Sequence, residues 1–566
     1  MRLAKTVGIT TIGIGLLASV LATPRARETK VQSDSLSAKI QRFAPTEITA
    51  DAQRLSPGDR KALDKIIEAA RYMDAIFLRQ VWSGNAALEK KLEQDASPIG
   101  RERLHYFRIN MGPWDRLENE APFIPGVPHI RPPEGSFYPE GMTRNEFESW
   151  IKSLPAPERE KATGYFYVIR RGPDGKLKSI AYSEEYRQFL EPAAKLLKEA
   201  AALTTNETLK TFLTKRAASF SSNDYYDSDV AWMDLDSPID VTIGPYETYE
   251  DGLLNYKAAF EAFVSLRDDA ESAKLARFGN YLQQIEDNLP EDPKYRNPKL
   301  GALAPIRVVD EVFAAGDGNR GVQTAAYNLP NDAKIVEEKG TKRVMLKNVQ
   351  EAKFKKTLVP ISQIVLRQVD LADLSFDAFF TQILAHELMH GLGPHNINPG
   401  GRKSTVRLEL KELYSPIEEA KADVTGLFAL QFLIDKGVLP ASLERPLYTT
   451  YLASAFRSVR FGISEAHGKG VALQFNYLTE LGGFQYDSGT GKFAVDQTKI
   501  KDAVRRLTHD LLTLEAEGSY QGAKALLDKY AVVGPELKGA LDKLSSVPVD
   551  IEPDFPLAAR VTGPRR

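Results

Sequence analysis

The segment Phe379–Gly393, FFTQILAHELMHGLG, constrains this chain more than any other stretch. Apolar Phe376, Phe379, Phe380, Ile383 and Leu384 recur at helical spacing, and Gly391, Gly393 and Pro394 stop the helix. His386 and His390 stand four residues apart, so their imidazoles share one helix face, one turn from each other. From that face both can reach one ion at about 2.0–2.1 Å each. Glu387 lies about 100° round the helix from His386, placed to meet a water beside the ion rather than the ion itself.

A catalytic zinc needs a third protein ligand and one open position. The chain has no cysteine and only seven histidines, so thiolate ligands, disulfides and cysteine nucleophiles are excluded and few ligands remain. Two candidates follow the helix. His395 comes five residues after His390, but the longer motif HExxHxxGxxH needs its third histidine at position 396, where Asn396 stands. Glu419 lies in Pro416-Ile417-Glu418-Glu419-Ala420-Lys421-Ala422-Asp423, which opens a second apolar helix through Val424, Leu427, Phe428, Leu430 and Phe432. Glu418, Glu419 and Asp423 beside a single lysine would repel one another without a cation. We therefore take Glu419 as the third ligand. Asp423, one turn further on, can accept the far N–H of a ligating histidine, and Glu418 belongs to the same supporting group.

With 566 residues the chain is long enough for two to four domains at about 150 residues each. Its 74 basic residues against 76 acidic ones leave a net charge of −2, which argues against nucleic acid as a partner. Arg2 and Lys5 precede the uncharged run Val7–Leu21, with small Val20 and Ala22 at the cleavage positions. This is the pattern of an export signal over 1–22. It predicts a periplasmic or secreted protein with no stable membrane insertion after cleavage. Along the rest, 23–45 reads as a flexible lead-in, 50–110 as helix and the Pro/Gly-rich 112–145 as a surface excursion. Tyr165–Ile169 and Leu177–Tyr182 flank Gly172-Pro173-Asp174-Gly175, a hairpin signal. Residues 184–220 read as helix, the acidic stretch Asp224–Asp240 as a loop, 238–249 and 320–346 as short β runs, and 372 to the mid 530s as mostly helix.

These motifs resemble the dipeptidyl peptidase III family of zinc exopeptidases, whose second motif, Glu-Glu-x-Arg/Lys-Ala/Gly-Asp/Glu, stands here as Glu418–Asp423. The resemblance covers most of 220–480. It includes Ile243-Gly244-Pro245-Tyr246-Glu247-Thr248-Tyr249, Asn328-Leu329-Pro330-Asn331 and Ala466-His467. The chain departs from the family's usual first motif, which carries one more residue between the histidines and so needs a local bulge. Four-residue spacing needs none.

The resemblance implies an α+β fold of two lobes with a wide cleft. A mixed α/β lobe would take 46–265 plus 300–355, a helical zinc-bearing lobe 266–299 plus 356–545, and a C-terminal tail 546–566. It implies one zinc ion and release of dipeptides from short peptides with a free N-terminus. Glu387 would be the general base, His467 and Tyr249 donors to the developing oxyanion, and Glu247, Asn328 and Asn331 the holders of the peptide ammonium. Three readings stay open at this point: the exopeptidase, an endopeptidase or other zinc hydrolase on the same helices, and an exported peptide-binding protein without turnover. No oligomeric state is implied.

Overall fold

The computed structural model describes residues 36–300 and 305–561, so the export signal lies outside the described residues. Two lobes each close around their own apolar cluster. No helix among the described residues is long and apolar enough to cross a membrane.

The first lobe is built on five strands: β1 (Ile239–Glu247), β2 (Ala259–Arg267), β3 (Ile306–Gly316), β4 (Ala326–Leu329) and β5 (Lys342–Leu346). Their spatial order is β1-β2-β3-β5-β4, with β5 parallel to β3 and the other neighbours antiparallel. β1 and β2 are buried on both faces, so the polar Asp240, Thr242, Glu261 and Ser265 are enclosed along with their apolar neighbours. Helix α1 (Pro57–Val81) covers one face through Leu63, Ile66, Ala70, Met73 and Phe77. It is started by Pro57 and by Ser56, whose hydroxyl accepts from the Asp59 N–H. The sheet curls until its edges meet. Tyr327 of β4 stacks on Phe263 of β2, ring centroids 4.5 Å apart, and its hydroxyl lies 3.0 Å from Thr242 Oγ1 of β1. That curl carries the segment after β4 to the end of β1.

The second lobe packs α2 (Phe376–Met389), α3 (Tyr414–Asp435), α4 (Glu444–Val459), α5 (Ala466–Glu480) and α6 (Ile500–Glu517). Helix α3 is apolar on nearly all sides because α2, α5 and α6 surround it. Strand β5 lies where the lobes meet: Val344 and Leu346 join the first core, while Met345 joins the second. The chain then crosses through 347–365, a continuous helical run with a π turn at Phe354–Leu358.

Three local expectations change. The described part of the lead-in, read as flexible, is ordered and pairs with the C-terminal tail. Strand Phe43–Glu47 pairs in parallel with strand Asp550–Asp554. Leu36, Phe43 and Ile551 are buried, and buried Asp550 pairs with buried Lys353 at 2.9 Å. Partners so distant in sequence leave no periodic trace at either end. The stretch 112–145 is irregular as read, yet it is not a surface feature: Trp114, Phe123, Phe137 and Tyr138 anchor it in the core. The acidic stretch is not a plain loop. It contains helix Tyr226–Met233, where Asp229 is neutralised by the buried guanidinium of Arg216 and Trp232 is fully buried.

Candidate active site

Helix α2 begins at Ser375, whose hydroxyl accepts from the Ala378 N–H, and ends at His390. Helix α3 crosses it closely because Gly426 lies at the contact: a Cβ there would sit 3.2 Å from the His386 nitrogen. On the other side of α3, a Cβ on Gly470 of α5 would meet Pro416 O at 2.9 Å and Glu419 Cβ at 3.5 Å. Two glycines thus let three helices converge where His386, His390, Glu419 and His467 stand.

The histidines are oriented from behind. Nδ1 of His386 is 2.8 Å from Asp423 Oδ1, and Nδ1 of His390 is 2.7 Å from Glu418 Oε1. A carboxylate only accepts, so each Nδ1 donates and each Nε2 offers a lone pair. Asp423 is itself held by Gln474 Nε2 at 3.0 Å and Gln382 Nε2 at 3.3 Å, and the Tyr451 hydroxyl fixes Gln474. Glu418 also takes Lys421 Nζ at 2.8 Å. Burial works against the Glu418 charge, but Lys421 and His390 hold its carboxyl well below the usual range. Lys421 is wholly buried and donates to Met389 O and Leu392 O, the carbonyls at the end of α2. Behind it lies Glu515, both of whose oxygens lack a hydrogen-bond partner and whose carboxyl burial pushes far up.

The two Nε2 atoms are 3.2 Å apart, and Glu419 Oε2 is 3.4 Å from His386 Nε2. Two tetrahedral ligands of one zinc at about 2.05 Å lie ~3.3 Å apart. Glu419 Oε2 is buried without a well-formed hydrogen bond, as an atom reserved for a cation would be. The residues therefore fit a zinc ion. His395 belongs to no group of metal-competent side chains among the described residues, whereas His386, Glu387 and His390 form one and His386, Glu419 and His467 another. His467 opens α5, is largely exposed, and rests Nε2 against Glu419 Oε2 at 3.1 Å.

The Glu387 carboxylate has an oxygen within 4.8 Å of the ligand nitrogens of His386 and His390, and its Oε2 lies 3.0 Å from Arg343 Nη1. Nothing in the motifs pointed to Arg343; its place on an alternating strand that faces the helical lobe was the only signal available. On the opposite lobe, Glu247 ends β1 and Asn331 follows the Leu329–Pro330 pair. Asn331 Nδ2 donates to Tyr246 O at 3.1 Å, and its side chain also reaches the Glu247 carboxylate. Burial, then the nearby Asp317 charge, pushes the Glu247 carboxyl up, against the Asn331 bond that lowers it. Tyr249 is 73% exposed, and its hydroxyl is pushed up first by Glu247. Asn328 is exposed on edge strand β4. Among the described residues no hydrogen bond joins these four, which belong to the other lobe, to the histidine cluster.

The model of peptidase family M49 matches residues 162–395. The structure of DPP III from Caldithrix abyssi is 48% identical and superposes with a TM-score of 0.89, covering 93% of this chain and 100% of that one. Dipeptidyl-peptidase III from Corallococcus sp. strain EGB is 55% identical, with a TM-score of 0.77 and coverage of 94% and 98%. A protein of Arabidopsis thaliana named Nudix hydrolase 3 is 45% identical over 94% of this chain and 75% of its own length. With nearly complete coverage at this level of identity, and with a histidine–glutamate cluster of zinc-like bite, the chain belongs to the dipeptidyl peptidase III family of M49 metallopeptidases.

Proposed function

We propose that this enzyme releases dipeptides from the free N-terminus of short peptides, using one zinc ion held by His386, His390 and Glu419. The observation that carries the reading is the pair of outward Nε2 atoms of His386 and His390, 3.2 Å apart, with Glu419 Oε2 3.4 Å from His386 Nε2. A bound zinc supplies Lewis acidity, lowering the pKa of water towards ~7 and polarising the scissile carbonyl. Glu387, next to the ligands but not among them, takes the water proton and returns it to the leaving amine. His467 and Tyr249 donate to the carbonyl oxygen as it gains charge.

The exopeptidase part rests on the other lobe. Glu247 and the amide oxygens of Asn328 and Asn331 offer one negative charge and two acceptors, which suits the three N–H donors of a peptide ammonium. An enzyme that measures from the terminus needs such acceptors at a fixed distance from the bond it cuts. The test compares a free tetrapeptide with its N-acetylated form, reading products by mass spectrometry. Dipeptide release from the free peptide alone is expected, since acetylation removes the ammonium charge and N–H donors that Glu247, Asn328 and Asn331 would hold. Equal cutting of both forms would sink the exopeptidase reading and favour an endopeptidase.

A further inference from the structure

Arg343 connects two parts of the molecule that the catalytic reading treats separately. It sits on β5, directly paired with Asn328 of β4. Neighbours along β5 alternate in direction. Val344 and Leu346 point into the first core, and Lys342 donates to Trp232 O in the same lobe. Arg343 and Met345 therefore point towards the helical lobe. From there Arg343 Nη1 reaches α2 and makes two bonds to one residue, a hydrogen bond of 2.8 Å to the main-chain carbonyl of Glu387 and an ion pair at 3.0 Å with its Oε2.

Both bonds have a physical reason. Glu387 is in the last turn of α2, where the final four carbonyls lack intrahelical donors and the helix dipole favours a cation. Lys421 caps the carbonyls of Met389 and Leu392 from within the helical lobe. Arg343 caps Glu387 from the opposite lobe, and the same nitrogen holds its carboxylate. A side chain tied at both its main chain and its tip has lost most of its rotamer freedom.

We infer that Arg343 is a positioning residue: it orients the Glu387 carboxylate and fixes its distance from the Asn328–Asn331 segment, and so helps set which bond is cut. The inference rests on the function proposed above, with Glu387 as base and Asn328 and Asn331 as terminus holders. It extends that function to a strut between holder and base. Because a single nitrogen makes both bonds, lysine can replace part of the contact, whereas neutral glutamine cannot reproduce the ion pair.

The test uses Arg343→Gln and Arg343→Lys in the zinc-loaded enzyme, together with the metal-stripped protein. Arg343→Gln should keep its metal content and melting temperature. Its kcat should fall on the order of 10–100-fold, the penalty of a misplaced catalytic group, with far less change in KM. Its products should spread to one- and three-residue fragments, and Arg343→Lys should recover part of both. Binding of a free-N-terminal peptide to the metal-stripped Arg343→Gln protein should match the parent. An unchanged kcat and product pattern would overturn the inference. So would loss of metal, or an effect confined to KM and to peptide binding, which would make Arg343 a ligand-site or substrate residue. If the parent itself releases no dipeptides, the exopeptidase reading fails. The kcat ratio of parent to variant, measured on whatever bond the parent cuts, still decides the orienting role of Arg343.

Discussion

At the scale of single residues, the centre separates groups that hold from groups that react. His386 and His390 each have Nδ1 committed to a carboxylate, Asp423 or Glu418, while the Glu387 carboxylate pairs with Arg343. Substitutions should divide along that line. Glu387→Gln should bind zinc like the parent and lose about 10²–10⁴-fold in turnover, the usual worth of a general base. His386→Ala and Glu419→Ala should lose the metal, and His395→Ala should keep it; elemental analysis beside a peptidase assay reads both. Glu387→Gln turning over at the parent rate would remove it as the base. The helix pair that brings His386, His390 and Glu419 near one another was legible in the sequence because it depends on local rules: an i, i+4 pair on one helix and acidic residues at the start of the next apolar helix. Asp423 was legible as a histidine partner for the same reason. Gln474, Arg343 and Glu515 were not, since each reaches the site from a separate element and has no spacing rule to announce it, and Gln382, one turn before His386 on α2, carried no motif that marked it.

At the scale of elements, what brings the site residues together is the closeness of three helices, and two glycines allow it. The sequence marked where these helices start and stop, but not where they cross, because a crossing depends on the absence of a side chain rather than the presence of one. Gly470 is the more informative of the two, since its contact lies against Pro416 O, Ala420 N and Glu419 Cβ, three residues from His467. Gly470→Val should push α5 away from α3 and carry His467 off Glu419 while α2 and α3 keep their places. The expected outcome is near-normal zinc content with kcat reduced by roughly 10-fold or more, as displacement of a transition-state group implies. Loss of zinc in step with activity would mean instead that α5 supports the ligands themselves.

At the scale of the whole molecule, two buried carboxyls away from the catalytic residues tie stability to pH. Glu311 on β3 is pushed up to about 8 by burial, against the pull of Lys353. Glu291 is pushed up to about 7 by burial and then by Glu286, which is occupied with the N–H groups of Asn297 and Gly393. In the unfolded chain both would titrate near ~4.3. Between that value and 7–8 the folded protein holds protons that the unfolded one releases, so their contribution to stability is full below about pH 4 and lost as pH rises through their folded values. Glu311→Gln and Glu291→Gln should raise the melting temperature at pH 8 more than at pH 5. A gain that is the same at both pH values would show that these groups do not carry a proton in the folded state. The joined ends of the described chain have a mechanical consequence. Strand Phe43–Glu47 and strand Asp550–Asp554 run in parallel, so tension applied through the two ends draws the strands along each other. The hydrogen bonds between them are then loaded together in shear rather than opened one at a time, and this short pair becomes the clasp that must fail before either lobe feels the pull.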